Sequence, residues 1–430
     1  MFKTFINAFK IKDIRRKMLM TLLLIVIYRL GCFIPIPGVN VALLSEAVQQ
    51  YDILGFLDLL TGSSFSQFTL FAMGISPYIT ASIIMQLLTI ALPSLERLSK
   101  EEGGREKIER ITRYVGIGLA MVQSIGIFVG LEKAAAAGTS YLSSTLPHWM
   151  ALAVIGICAT AGTAFLMWLG ERITENGIGN GISMLIFASI VSRVVPTVIG
   201  WVQQLFTQVM PVWAFALLLV LVVGMITLVV HVDQAQRRIP VQYAKRVVGR
   251  KMYGGQSTNL PMKVSMAGVL PIIFAQSIAS LPITVWSFIG VPADGTVSRA
   301  IYDAIDTKSV IYMVVYFIMI IGFSYFYSSI QFNPVEIANN LKKQGGFIPG
   351  FRPGKPTVDF IKKVLNKITL FGAIYLGVVA ICPLIVGKII GNSSVSIGGT
   401  SVIIVVGVAL ETVKALESQM LMRQYKGFLE

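Results

Sequence analysis

Few residues in this chain are of kinds that do covalent chemistry. Histidine occurs only at His148 and His231, far apart in sequence. Cysteine occurs at Cys32, Cys158 and Cys382, each in an apolar segment and without metal-ligand or disulfide spacing. No Ser/His/Asp set, zinc pattern or Walker A sequence is present. The run Gly177-Ile178-Gly179-Asn180-Gly181 has the composition of a nucleotide-binding loop. No strand precedes it and it joins two apolar segments, so it is expected to be a tight turn. The expectation is a protein with no catalytic residues, no cofactor and no metal.

The patterned residues are of other kinds. Ile75 and Ile79 are four apart, and so are Ile182 and Ile186, a spacing that puts each pair on one helix face. Ser76-Pro77 has the form of a helix start, which would take Ile75 off that face. Gln86 and Gln123 are amides within apolar runs and need a partner or water. Arg29 interrupts the first apolar run and is expected to bond backbone carbonyls or a neighbouring helix. Two long segments, residues 231–263 and 333–367, are basic and rich in turn residues, amides and aromatics. Orientation and attraction to anionic lipids require only charge. Such shaped basic loops also suit docking of an acidic protein or of RNA phosphates.

The elements that position these residues are membrane spans. The chain has 430 residues, 55% hydrophobic and 13% charged, with a net charge of +15. Soluble domains run at about a quarter charged. Hydropathy predicts ten spans, at about residues 18–36, 71–92, 114–131, 149–169, 182–195, 211–230, 264–289, 310–330, 368–390 and 396–415. No small-residue cleavage pattern follows the first, so it is expected to be a span rather than a signal peptide. Residues 1–17 are expected to form a basic amphipathic helix in the interface. Of the 36 Lys and Arg residues, 30 fall at the N-terminus, in the loops after even-numbered spans and in the tail. The positive-inside rule then puts both termini in the cytoplasm.

One segment departs from this pattern. Residues 56–65, just before the second span, form a short apolar stub ending in Thr61-Gly62-Ser63-Ser64. Non-helical backbone at membrane depth is tolerated only inside protein or beside a water-filled cavity, so the stub is a candidate stopper. Five spans per half would invert the second half relative to the first, giving halves of 1–205 and 206–430. The rival reading is a secondary transporter of small solutes. Such carriers usually keep ionisable groups near the midplane, and these spans are nearly free of them, with Arg29 taken as the exception.

Several motifs resemble the SecY family, the central subunits of the bacterial protein-conducting channel. They are GISPYITASIIMQLL at 74–88, GIGNGIS at 177–183, QRRIPVQYAKR at 236–246, MAGVLPIIFA at 266–275, FNPVEIANNLKKQGGFIPGFRPG at 332–354 and GGTSVIIVV at 398–406. Their order and number cover nearly the whole chain.

The resemblance implies an all-α polytopic protein with a pore between two inverted five-helix halves, in a bacterial plasma membrane. It implies a ring of Ile75, Ile79, Ile182, Ile186, Ile273 and Ile404 at the waist. An aliphatic waist excludes ions by dewetting and deforms around any passing chain. The stub would be a short re-entrant plug helix, with Phe56, Leu57, Leu59, Leu60, Gly62 and Phe65 beneath the ring on the outer side. Gln86, Gln123 and Ser265 would form the polar cluster of a lateral gate, where family members more often have asparagine in place of Ser265. Arg237, Arg238, Lys245, Arg246, Arg250, Lys251, Lys342, Lys343, Arg352 and Lys355 would dock the motor ATPase SecA or the ribosome, with Arg352 foremost. SecE-like and SecG-like membrane subunits, signal peptides, nascent chains and anionic lipids complete the implied partners.

Overall fold

The computed structural model describes residues 6, 8–50, 58, 61–134, 147–207, 210–243, 246–248, 251–253, 257–265, 268–289, 299, 301, 302, 304, 309–390 and 398–426. The helices in chain order are α1 (Lys12–Gly31), α2 (Val41–Gln50), α3 (Ser76–Ala91), α4 (Pro93–Lys100), α5 (Gly104–Ala134), α6 (His148–Asn176), α7 (Gly181–Phe206) and α8 (Val212–Gln234), then α9 (Leu270–Ile289), α10 (Val310–Gln331), α11 (Pro334–Lys343), α12 (Lys355–Ile390) and α13 (Gly398–Lys426). Among the described residues six helices are each long and apolar enough to cross a membrane, and α3 with α4 makes a seventh if that bent pair is one span.

Several boundaries differ from the hydropathy reading, each for a physical reason. Helix α1 begins at Lys12 and ends at Gly31, short of residue 36. Its end approaches another segment closely: a β-carbon on Gly31 would lie 2.0 Å from the Phe71 ring. Beyond it Pro35 bridges Thr69, and Leu70 N–H donates to the Ile34 carbonyl at 2.9 Å. Helix α3 starts at Ser76 and not at residue 71, with Pro77 in its first turn and Ile75 as N-cap. Proline is favoured there because its missing N–H costs nothing. Leu92, before Pro93, is forced into an extended conformation (φ −104°, ψ 113°), and α4 leaves α3 at 100°.

Helix α7 is 26 residues long, not the short span of residues 182–195. Hydropathy reading stopped at Pro196, whereas the helix passes through it. Its start lies inside the Gly-rich turn, where the Asn180 side chain accepts from Ile182 N–H at 3.0 Å and Ser183 N–H at 3.3 Å. Gly181 is required there: an added β-carbon would lie 1.9 Å from the Gly170 carbonyl oxygen on α6.

The large cytoplasm-assigned loops are not wholly helical. Strands β1 (Gln236–Tyr243), β4 (Ser257–Lys263) and β5 (Gly346–Phe347) form an antiparallel sheet in the order β4-β1-β5. Strands β2 (Arg246–Val248) and β3 (Lys251–Tyr253) form a separate hairpin. Ile239 and Val241 alternate with exposed neighbours on β1 and pack with Met262, Leu341, Ile348 and Ile361. The two basic loops thereby share one small core.

Two apolar cores fill the helical body's second part and centre. One gathers residues of α8, α9, α10, α12 and α13, including Met225, Ile272, Tyr316, Leu376 and Ile403. The other gathers residues of α1, α3, α6, α7 and α13, including Leu24, Ile75, Leu166, Leu185 and Ile404. Helix α13 serves both: Ile403, Val406 and Leu410 enter the first core, and Ile404 and Val408 the second.

Candidate functional site

The six isoleucines converge. Ile75, Ile186 and Ile404 are buried, and Ile79, Ile182 and Ile273 pack against them partly buried, all in the same cluster. They come from the start of α3, the first two turns of α7, the first turn of α9 and α13. Ile75 stays beside Ile79 although it precedes the helix, because Ile79 N–H donates to the Ile75 carbonyl at 3.0 Å and closes the first turn. All six of these side chains are aliphatic and carry no group that holds an ion.

Beside it lies the stub. Phe56, Leu57, Leu59 and Leu60 fall outside the described residues, whereas Asp58 and residues 61–70 are described. Ser63 N–H donates to the Asp58 carbonyl at 2.9 Å, and Ser66 N–H donates to Asp58 Oδ1 at 2.7 Å. Phe65 N–H donates to Thr61 Oγ1 at 3.2 Å. These bonds satisfy backbone that would otherwise be orphaned away from water. Phe65 and Phe68 are buried in an edge-on contact, and Phe68 meets Phe128 of α5 the same way. Gly62 has φ +66°, a left-handed conformation glycine adopts without steric cost.

Arg29 Nη1 donates to the Gly62 carbonyl at 3.3 Å, so the expected carbonyl partner belongs to the stub. Arg29 is not the only ionisable exception in the spans. Arg193, on α7, pairs with the Asp58 carboxylate, and sequence reading passed over Arg193. The signal available was an arginine within an apolar run seven residues after Ile186 and an acid in an apolar stub.

The polar residues assigned to a lateral gate lie on α3, on α5 and just before α9. Gln86 is exposed on α3 and donates to Ser82 Oγ of its own helix at 3.5 Å, a weak contact. Gln123 is half-buried on α5. Ser265 lines a small polar recess with Ser324, Ser328 and Thr369, between α10 and α12. There the Ser328 and Thr369 hydroxyls bond at 2.9 Å. In the C-terminal half of α13, Lys414 pairs with Asp233 of α8 at 3.3 Å.

Of the basic docking residues, Lys245 and Arg250 lie outside the described residues. Arg246 and Lys251 fall on the β2–β3 hairpin. Arg237 and Arg238 are exposed on β1, Lys342 and Lys343 end α11, and Lys355 begins α12. Arg352 is exposed at the apex of a constrained turn between Gly350 (φ +86°) and Gly354 (φ +113°). Its carbonyl accepts from Thr357 Oγ1 at 2.8 Å, and its neighbour Phe351 packs on Phe360 at 4.2 Å between ring centres. The cation is therefore presented from a shaped, anchored loop.

The profile of the SecY family matches residues 69–413. The chain belongs to the SecY family. A protein translocase subunit SecY of Streptomyces coelicolor is 44% identical over 439 residues, covering 100% of both chains. Among solved structures, one titled "The structure of a protein conducting channel" superposes with a TM-score of 0.64 at 19% identity, covering 94% of this chain and 92% of that one. Sec61 in a canine ribosome–channel complex from the endoplasmic reticulum superposes with a TM-score of 0.61 at 18% identity, covering 94% and 92%. At those identities the superpositions establish the fold. The family's isoleucine-bearing and basic-loop motifs fall in the apolar cluster and on the shared loop body described above.

Proposed function

We propose that this protein is the pore subunit of a protein-conducting channel, passing unfolded secretory polypeptides outward and releasing apolar segments sideways into lipid. One observation carries the reading: six isoleucines from four separated segments meet in one apolar cluster, and Tyr28 of that cluster bonds the stub at the Thr61 carbonyl. In a family whose relatives are named translocase subunits, such a cluster acts as a closed waist with the stub as its plug. The waist blocks ions because a bare ion cannot shed its water into it. It has no catalytic group, so a docked partner supplies the energy. No relative named above is a solute carrier, and the carrier reading has no support.

The waist lies between two halves, about 1–205 and 206–430. Helices α3 and α9 flank the lateral exit, where Gln86 and Gln123 tune the hydrophobicity a segment needs to leave. The basic loop body faces the cytoplasm of a bacterial cell, where SecA and the ribosome dock on it. A ribosome is the partner in the complex of similar fold. SecE-like and SecG-like subunits cover exposed apolar helix faces.

The test is translocation of an unfolded secretory chain into vesicles carrying the channel with its partner subunits, driven by SecA. Arg352→Glu is expected to leave the protein inserted and to stop SecA-driven translocation. Partner binding should also weaken as salt rises, because screening shortens to about 3 Å at 1 M. A parent channel that moves small solutes but no polypeptide would refute the reading.

A further inference from the structure

Two guanidinium groups grip the stub. Arg193, on α7, pairs through Nη1 with Asp58 Oδ2, and the Asp58 side chain is only 4% exposed against 30% for Arg193. The other Asp58 oxygen accepts from Ser66 N–H. Arg29, on α1, donates to the Gly62 carbonyl. Between them Tyr28 on α1 and Ser189 on α7 share a 2.5 Å hydroxyl contact, and Tyr28 also donates to the Thr61 carbonyl at 3.4 Å. The fit is close: a β-carbon on Gly62 would lie 2.8 Å from Arg29 Nη1 and 3.0 Å from Ser192 Oγ.

A carboxylate this buried is tolerable only while paired and hydrogen-bonded. Removing one partner of such a pair leaves an uncompensated charge, whereas removing both can be nearly neutral. Stub displacement would separate Asp58 from Arg193 and let both hydrate. The contact has a short reach, so it holds fully when the stub is seated and is lost early in its movement. Aliphatic packing alone lacks that threshold.

We propose that Asp58–Arg193, backed by Arg29 on the Gly62 carbonyl, is a charge latch that seats the plug. The latch sets how strongly a client's signal segment must engage before the channel opens. Arg193 and Arg29 are thus positioning residues that determine client selectivity. This rests on the channel reading above.

The experiment compares Asp58→Asn, Arg193→Gln, Arg193→Lys and the Asp58→Asn/Arg193→Gln double variant in the assembled channel at matched protein levels. Resting ion leak is read in planar bilayers. Translocation is read with two clients, one with an intact signal segment and one with a weakened one. Arg193→Gln should raise the leak about tenfold and admit the weak-signal client, because it strands the buried carboxylate. Asp58→Asn should act less, because the arginine it leaves is more exposed than the carboxylate and can hydrate. Arg193→Lys should fall between parent and Arg193→Gln. The double variant should be no leakier than Arg193→Gln alone, since coupled residues are non-additive. Singles that behave like the parent, or a double whose leak is the product of the singles, would overturn the latch. Arg29→Gln is the second probe, since it removes the guanidinium that holds the Gly62 carbonyl and leaves both members of the pair in place. It too should leak, and an unchanged leak overturns that arm. Failure of the intact-signal client in the parent would instead refute the channel reading.

Discussion

Substitution of Ile404 separates a packed waist from an ordinary patch of core. Ile404 is 5% exposed and shares its cluster with Ile75, Ile186 and, partly buried, Ile79, Ile182 and Ile273. Ile404→Asn removes a buried aliphatic side chain whose burial is worth roughly 2 kcal/mol. It adds an amide whose burial without a partner costs about 1–3 kcal/mol. In an open pore the amide meets water or the passing chain, so this second cost falls only on the closed state. On that second cost alone the closed–open balance should shift by about 1–3 kcal/mol, where each 1.4 kcal/mol is a factor of about ten. Ile404→Leu keeps volume and polarity and should cost less than about 1.5 kcal/mol. The assay is resting conductance of the assembled channel in planar bilayers, paired with translocation of a client whose signal segment is defective. Asn should leak and pass the defective client; Leu should stay near the parent. Equal behaviour of Asn, Leu and parent at matched levels would mean that Ile404 is no part of a gating constriction.

Other consequences are directly measurable. Gly181→Ala should lower the thermal midpoint in detergent or prevent accumulation, because its β-carbon meets the Gly170 backbone oxygen at 1.9 Å, while Gly118→Ala, with open space around it, should not. Equal midpoints would argue against the close α6–α7 approach. Gln86→Leu should lower the polarity at one edge of the lateral exit and shift the hydrophobicity at which a graded series of test segments enters lipid. An unchanged insertion threshold removes Gln86 from the gate.

Much of this protein was legible in the chain alone, because the properties concerned are local. Apolar runs locate the spans, since a bilayer demands a continuous stretch of apolar residues. The distribution of 30 of the 36 cationic residues gives the expected orientation. The six motifs place the chain in its family, and the profile match confirms it. Local signals also contained the start of α3 at Ser76-Pro77, against the hydropathy boundary. They contained the alternation around Ile239 and Val241 that becomes β1, which a wholly helical reading overlooked.

Tertiary structure decided what depends on residues far apart. Spacing could pair Ile75 with Ile79 and Ile182 with Ile186, but only packing of separate helices brings both pairs to Ile273 and Ile404. It took Ser265 toward Ser328 and Thr369, a destination its sequence neighbours do not encode. It joined the two basic loops through the pairing of β1 with β5. It also set Asp58 against Arg193 across 135 positions of sequence. Hydropathy measures a segment's preference for lipid or water. Which buried group satisfies which is settled only when distant segments meet and each stranded charge or polar group must find a partner.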